Sequence, residues 1–180
     1  LSLIMAEEQE MGLSVQPLSN WRARTVFVFG KTLPYAVTNL FFSVASFAFL
    51  MPIFKVGFHI EKLPAFMLLS AAFAVTVSLA GFVFGLLFKD RITVMVVLMF
   101  YSLPGIMASG YSWPDFALPW DIRIFSYFFP ITHFVEEIRR VILGPIGLQG
   151  FLHSLSALTL YSLICFGLSL ILLQKRSGRC

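Results

Sequence analysis

From Leu33 to Phe54 the chain carries no charged side chain, and at 1.5 Å per residue these roughly 22 residues reach about 33 Å, enough to cross the hydrocarbon core of a bilayer. No other feature constrains the fold so tightly, because backbone polar groups in lipid must find partners within the segment, and a helix provides them alone. Three more uncharged runs follow, at about 63–88, 92–109 and 151–173. Composition agrees: 58% of residues are hydrophobic and 12% charged, against about 45–50% and about 25% in soluble domains. The expected fold class is all-α and integral to the membrane, a polytopic bundle with four complete transmembrane helices.

The remaining pieces fall between these runs. Residues 1–6 read as the end of a further spanning helix that began upstream, residues 7–32 as a cytoplasmic loop with a candidate surface helix, and 33–180 as the transmembrane domain. Glu7, Glu8 and Glu10 precede Arg22, Arg24 and Lys31, the order a helix dipole favours. Pro34 is placed in the first turn of its helix, where its missing N–H costs little, and Pro52 at the far end. Asn39, Ser43 and Ser46 are expected to face other helices rather than lipid, and Gly81 with Gly85 forms a small-xxx-small pair that lets a neighbouring helix approach. Pro104 and Gly105 are expected to break the third run before its end.

The stretch between the third and fourth runs cannot cross a bilayer. It carries seven charges, Asp115, Asp121, Arg123, Glu136, Glu137, Arg139 and Arg140, and prolines at 114, 119 and 130. A re-entrant or interfacial segment over about 113–143 is expected, with Trp113 and Trp120 at the headgroup level. Within it, Asp121–Phe129 reads as a short helix ended by Pro130. Thr132–Leu143 reads as a second, with Thr132 as N-cap, Phe134, Ile138, Val141 and Ile142 near one face, and Glu136 and Arg140 at i,i+4 spacing. Two readings of Glu136, Glu137, Arg139 and Arg140 stand side by side: surface ion pairs on an exposed helix, or the lining of a polar mouth between helices.

Alternating the spans collects Arg22, Arg24, Lys31, Lys89, Arg91, Lys175, Arg176 and Arg179 on one side and Lys55, Lys62, Arg123, Arg139 and Arg140 on the other. The richer side is cytoplasmic by the positive-inside rule, which turns the 113–143 segment outward. The net charge of +4 is scattered, with no basic tract or motif for nucleic acid. Cys165 and Cys180 have neither metal-ligand spacing nor a plausible pairing.

Chemistry within the chain is weakly signalled. An embedded enzyme using His133 with Glu136 or Glu137 is conceivable by helical spacing, but no second histidine is nearby and neither a nucleophile motif nor a His-Glu-x-x-His pair occurs. An ion-coupled transporter or channel is disfavoured because the four runs contain no Asp, Glu, Lys or Arg. No Gly-x-x-x-x-Gly-Lys-[Ser/Thr] loop is present to bind nucleotide.

Taken together, Ser-Gly-Tyr-Ser-Trp-Pro at 109–114, Trp120, Phe-Pro-Ile-Thr-His-Phe at 129–134 and Glu-Glu-Ile-Arg-Arg at 136–140, followed by an apolar last helix, resemble the ABC-2 type transporter permeases. Ala-Glu-Glu-Gln-Glu at 6–10 with Gly12, and Gly-Lys-Thr-Leu-Pro-Tyr at 30–35, resemble that family's cytoplasmic loop and the start of its following helix, although the loop between Gly12 and Pro17 is shorter than usual. The resemblance implies the membrane subunit of an exporter for a hydrophobic or amphipathic substrate in a bacterial cytoplasmic (inner) membrane. It implies an ABC ATPase subunit docking at Glu7, Glu8, Glu10 and Gly12, and a second permease subunit, identical or related; a periplasmic adaptor is left open. It further implies an outer gate or re-entrant hairpin containing Pro104, Gly110, Trp113, Pro114, Pro130, His133, Glu136, Glu137, Arg139 and Arg140. No cofactor is expected on this chain, since ATP and Mg²⁺ would sit on the partner.

Overall fold

A computed structural model describes residues 1–10, 20–54, 60–88, 90–111, 119–144 and 147–177. Every element among them is helical: α1 (Ser2–Glu10), α2 (Trp21–Ile53), a 3₁₀ turn (Ile60–Lys62), α3 (Leu63–Leu87), α4 (Arg91–Ala108), α5 (Trp120–Ser126), α6 (Pro130–Leu143) and α7 (Leu148–Ser177). Four are long and apolar enough to cross a membrane, namely α2, α3 with its preceding turn, α4 and α7. The protein is a polytopic helical membrane protein. Gly12, Trp113 and Pro114 lie outside the described residues, and Glu10 is described only as the last backbone position of α1.

The bundle is built around α3. Half of its spanning window (50%) is buried inside the protein, against 6% for α2 and 11% for α7, and it packs against α1, α2, α4, α6 and α7. In lipid, apolar surface gains little by leaving one apolar environment for another, so close contact and polar links hold such helices together. Both are visible on α3. A side-chain carbon at Gly85 would stand 2.7 Å from Met5 Cβ and 3.0 Å from the Ser2 carbonyl oxygen, so the missing side chain lets α1 lie directly on α3. The Thr76 hydroxyl donates both to its own helix at the Ala72 carbonyl, 2.8 Å, and across to the Leu158 carbonyl of α7, 3.1 Å.

Two apolar clusters flank these links. Met5, Val28, Leu79, Phe82, Leu86 and Leu173 join α1, α2, α3 and α7 near one membrane face. Phe66, Leu69, Val141, Phe151 and Leu158 join α3, α6 and α7 near the other.

Helix ends differ from the apolar runs, for identifiable reasons. Charge does not stop a helix, so α2 begins at Trp21 with Asn20 extended before it, and Pro34 sits inside the helix rather than in its first turn. At the other end of the chain, α7 likewise runs from Leu148 to Ser177, past both limits of its uncharged run. Nor does Pro104 break α4, which continues to Ala108: a proline removes one backbone bond, and only one turn remains to be held. Glu7 and Glu8 extend α1 instead of opening a loop. Thr132 is not the cap of α6. Phe129 takes the extended N-cap conformation and Pro130 the first helical position, where its fixed φ and absent N–H suit the helix start.

Candidate functional site

The charged groups gather at the two ends of the bundle. At one end Glu8 pairs with Lys31 of α2, and Glu7 lies 3.7 Å from Arg91 at the start of α4. Asp90 caps α4, accepting the Thr93 backbone N–H at 2.7 Å, which holds its carboxyl below the usual range. The last turn of α1 is thus tied to the first parts of two spanning helices. Lys31 and Arg91 went unnoticed as partners of the glutamates in the linear reading, although the alternation of spans already put all four on the same side.

At the opposite end, α5 and α6 form a helical hairpin seated on α4 and α7. Its turn is fixed by side-chain donors that reach carbonyl groups at the end of α5. The Ser126 carbonyl accepts the Thr132 hydroxyl at 2.7 Å, and the Tyr127 carbonyl accepts the Tyr161 hydroxyl of α7 at 2.6 Å and the His133 Nε2–H at 3.2 Å. Thr132, expected to start α6, in fact closes α5. An aromatic chain continues the seat: Phe125 and Phe129 lie 5.3 Å apart, Phe129 and Tyr101 5.3 Å, and Tyr101 and Phe84 5.2 Å, linking the hairpin to α4 and α3. Gly105 makes room for it, since a side-chain carbon there would lie 3.0 Å from the Phe129 ring.

Charged residues of α6 then bind the hairpin to its surroundings. Just after α4, Gly110 takes φ 75°, a left-handed turn that glycine adopts freely, and its carbonyl accepts the Arg139 guanidinium at 2.5 Å. Lys62 donates to the Gly144 carbonyl at 2.6 Å, a cation placed at the negative end of α6. Arg140 pairs with Glu136 one turn back and with Glu137 at 3.3 Å. The four charged residues divide between the two readings that the sequence left open. Glu136, Arg139 and Arg140 keep access to solvent or headgroups, whereas Glu137 is fully buried, with Oε2 facing Arg140 and Oε1 lacking a partner among the described residues. Gly150 of α7 accommodates this pair, for a side-chain carbon there would meet Arg140 Nη1 at 2.7 Å and Glu137 Oε2 at 3.3 Å. Burial pushes the Glu137 carboxyl above its ordinary value, with Arg140 opposing the shift.

His133 also has a histidine neighbour, contrary to the linear reading. His153, in the first turns of α7, brings its ring to 6.0 Å, and Tyr161 stands at the same distance. Burial lowers the His133 pKa from 6.5, the Tyr127 carbonyl opposing. Nε2, held by that carbonyl, fastens the start of α6 to the α5–α6 turn, and the Tyr161 hydroxyl ties the same carbonyl to α7. No group of three or more potential metal ligands occurs among the described residues. Of the glycine pair, Gly85 carries the close helix approach, and Gly81 has nothing within 4 Å of where a side chain would begin.

No curated protein and no solved structure matches the chain. A family model described as ABC-2 family transporter protein does match, over residues 5–171, which takes in both charged ends, three spanning helices whole and most of the fourth. The chain belongs to the ABC-2 transporter family: it is a membrane-spanning permease part of an ABC transporter, and membership implies association with an ABC ATPase subunit.

Proposed function

We propose that this chain is one half of the transmembrane pathway of an ABC exporter, moving a hydrophobic or amphipathic substrate outward across a bacterial cytoplasmic membrane. The observation that carries this reading is the separation of the two polar ends. Ion pairs tie α1 to α2 and α4 at one face, and a polar, aromatic hairpin is seated on α4 and α7 at the other. On this reading an ATPase subunit docks on the segment carrying Glu7, Glu8, Glu10 and Gly12, and its displacement reaches α2 and α4 through Lys31 and Arg91. α4 leads into the hairpin through Gly105 and Gly110, so a shift of α4 is felt by the outer gate, in which His133, Glu137, Arg139 and Arg140 fix the closed arrangement. A second permease subunit completes the pathway. ATP and Mg²⁺ belong to the partner.

Reversing Glu7, Glu8 and Glu10 to lysine tests the docking assignment. ATP-driven transport in membrane vesicles should be lost while membrane insertion is retained; transport at the unmodified rate would overturn it.

A further inference from the structure

A groove of about 300 Å³ opens toward lipid between α2, α3 and α6, bounded by Asn39, Ser43 and Ser46 on one side, Ser70 at depth, and Phe73 and Phe134. The two phenylalanine rings are stacked, 4.2 Å apart and 12° from parallel, and give the groove a flat apolar wall. Ser43 lies midway along the uncharged run Leu33–Phe54, so the hydroxyls sit near the bilayer centre.

Ser70 sets this groove apart. Several hydroxyls elsewhere in the spanning helices satisfy themselves on their own backbone: Thr32 on Val28, Thr38 on Pro34, Thr76 on Ala72 and Ser169 on Cys165. Ser70 is 2% exposed and lines the groove, and its hydroxyl has no partner among the described residues. An unpaired hydroxyl in an apolar medium is costly, which marks a position awaiting a partner. That partner has to be slender: a second helix, about 10–12 Å across with its side chains, does not fit down to a group so nearly covered, whereas one hydroxyl or carbonyl arm needs only a small displacement of the side chains over Ser70. Among the described residues no charged side chain lines the groove, so none of them compensates an ionic headgroup there.

We infer that this groove is a lateral binding site for an uncharged amphiphile, a hydroxyl- or ester-bearing lipid-like molecule whose polar arm hydrogen-bonds Ser70 and whose apolar body lies along Phe73 and Phe134. The site is an equilibrium feature of the bundle, read without nucleotide, so its failure leaves the exporter reading standing.

The test uses the full chain in phosphatidylcholine nanodiscs doped with a diazirine-bearing diacylglycerol. After irradiation, adducts are mapped by mass spectrometry, with the matching diazirine phosphatidic acid in parallel. Diacylglycerol should label the Phe42–Ser43, Phe73 and Phe134 regions. Ser70→Ala should lower that labelling about 3- to 10-fold, the range expected for one hydrogen bond, with a thermal midpoint that stays level or rises, because the hydroxyl has no structural partner to lose and its burial unpaired is a cost removed. Ser43→Leu, on the lipid-facing side, should block labelling by bulk. Labelling equal to that of the unmodified chain in both variants would overturn the proposal, and so would equal labelling by phosphatidic acid. A lowered thermal midpoint or a lost oligomer in Ser70→Ala would instead assign the hydroxyl to a structural water or a second copy of the chain, and would also overturn it.

Discussion

Gly81 and Gly85 stand four residues apart on α3, yet the structure gives them opposite tolerance, and that contrast can be measured. At Gly85 a new side-chain carbon would lie 2.7 Å from Met5 Cβ, and carbon atoms pack at about 3.5–4.0 Å, so α1 must retreat by about 0.8 Å or more. Neither contact yields easily, because one is the root of a side chain and the other, at 3.0 Å, is the Ser2 backbone carbonyl. Overpacking of this kind costs about 1–3 kcal/mol. At Gly81 the same carbon meets nothing within 4 Å. Both substitutions to alanine share a helix-propensity gain of up to about 1 kcal/mol, which cancels in their difference. Gly85→Ala should therefore be less stable than Gly81→Ala by about 1–3 kcal/mol, or about 2–4 °C in thermal midpoint for each kcal/mol. The assay is thermal unfolding of the detergent-purified full chain. Because α1 carries Glu7 and Glu8, Gly85→Ala should also weaken coupling to the ATPase more than Gly81→Ala does. Equal midpoints for the two variants would refute the seating of α1 on α3.

Other parts of the structure give sharp expectations. Lys31→Glu should reduce ATP-driven transport, and the exchanged pair Glu8→Lys with Lys31→Glu should restore much of it; stability should move by less than about 1 kcal/mol, since both side chains are 30% exposed. Tyr161→Phe, which removes the hydroxyl held by the Tyr127 carbonyl, should cost about 0.5–1.5 kcal/mol in thermal unfolding and loosen the hairpin, seen as faster hydrogen exchange in α5. His133 binds its proton less readily in the folded protein than at the ordinary value of 6.5, so its contribution to stability is present above that pH and lost as pH falls below it. The thermal midpoint should thus fall from pH 7.5 to 5.5, and His133→Gln should flatten that slope.

The spanning helices were legible because charge is so costly in lipid that its absence over about 20 residues leaves few alternatives. Their ends were not, because a helix continues beyond the bilayer wherever the backbone allows it, as α2 does from Trp21. The hairpin was legible as two short helices around Pro130, but the roles within it were displaced. Thr132 looked like a cap from spacing alone, and only the fold reveals the Ser126 carbonyl, six residues back, that accepts its hydroxyl. Glu136 and Glu137 are adjacent and chemically alike. Which one is buried depends on the face of α6 that meets α7, and that stripe, Pro130, His133, Glu137 and Val141, mixes polar with apolar groups, so hydrophobic periodicity does not pick it out. His153 is distant from His133 in sequence and reaches it only because α6 and α7 pack together. Ser70 gave no signal at all, because a serine in an apolar run ordinarily bonds its own helix.

The central claim is that this chain is the membrane half of an ATP-driven pump, and copurification tests it most directly. The full-length gene product, extracted in mild detergent, should bring with it an ABC ATPase subunit in stable proportion, and the complex should hydrolyse ATP. A well-folded protein that retains no ATPase, and around which no ATP hydrolysis is found, would contradict the account.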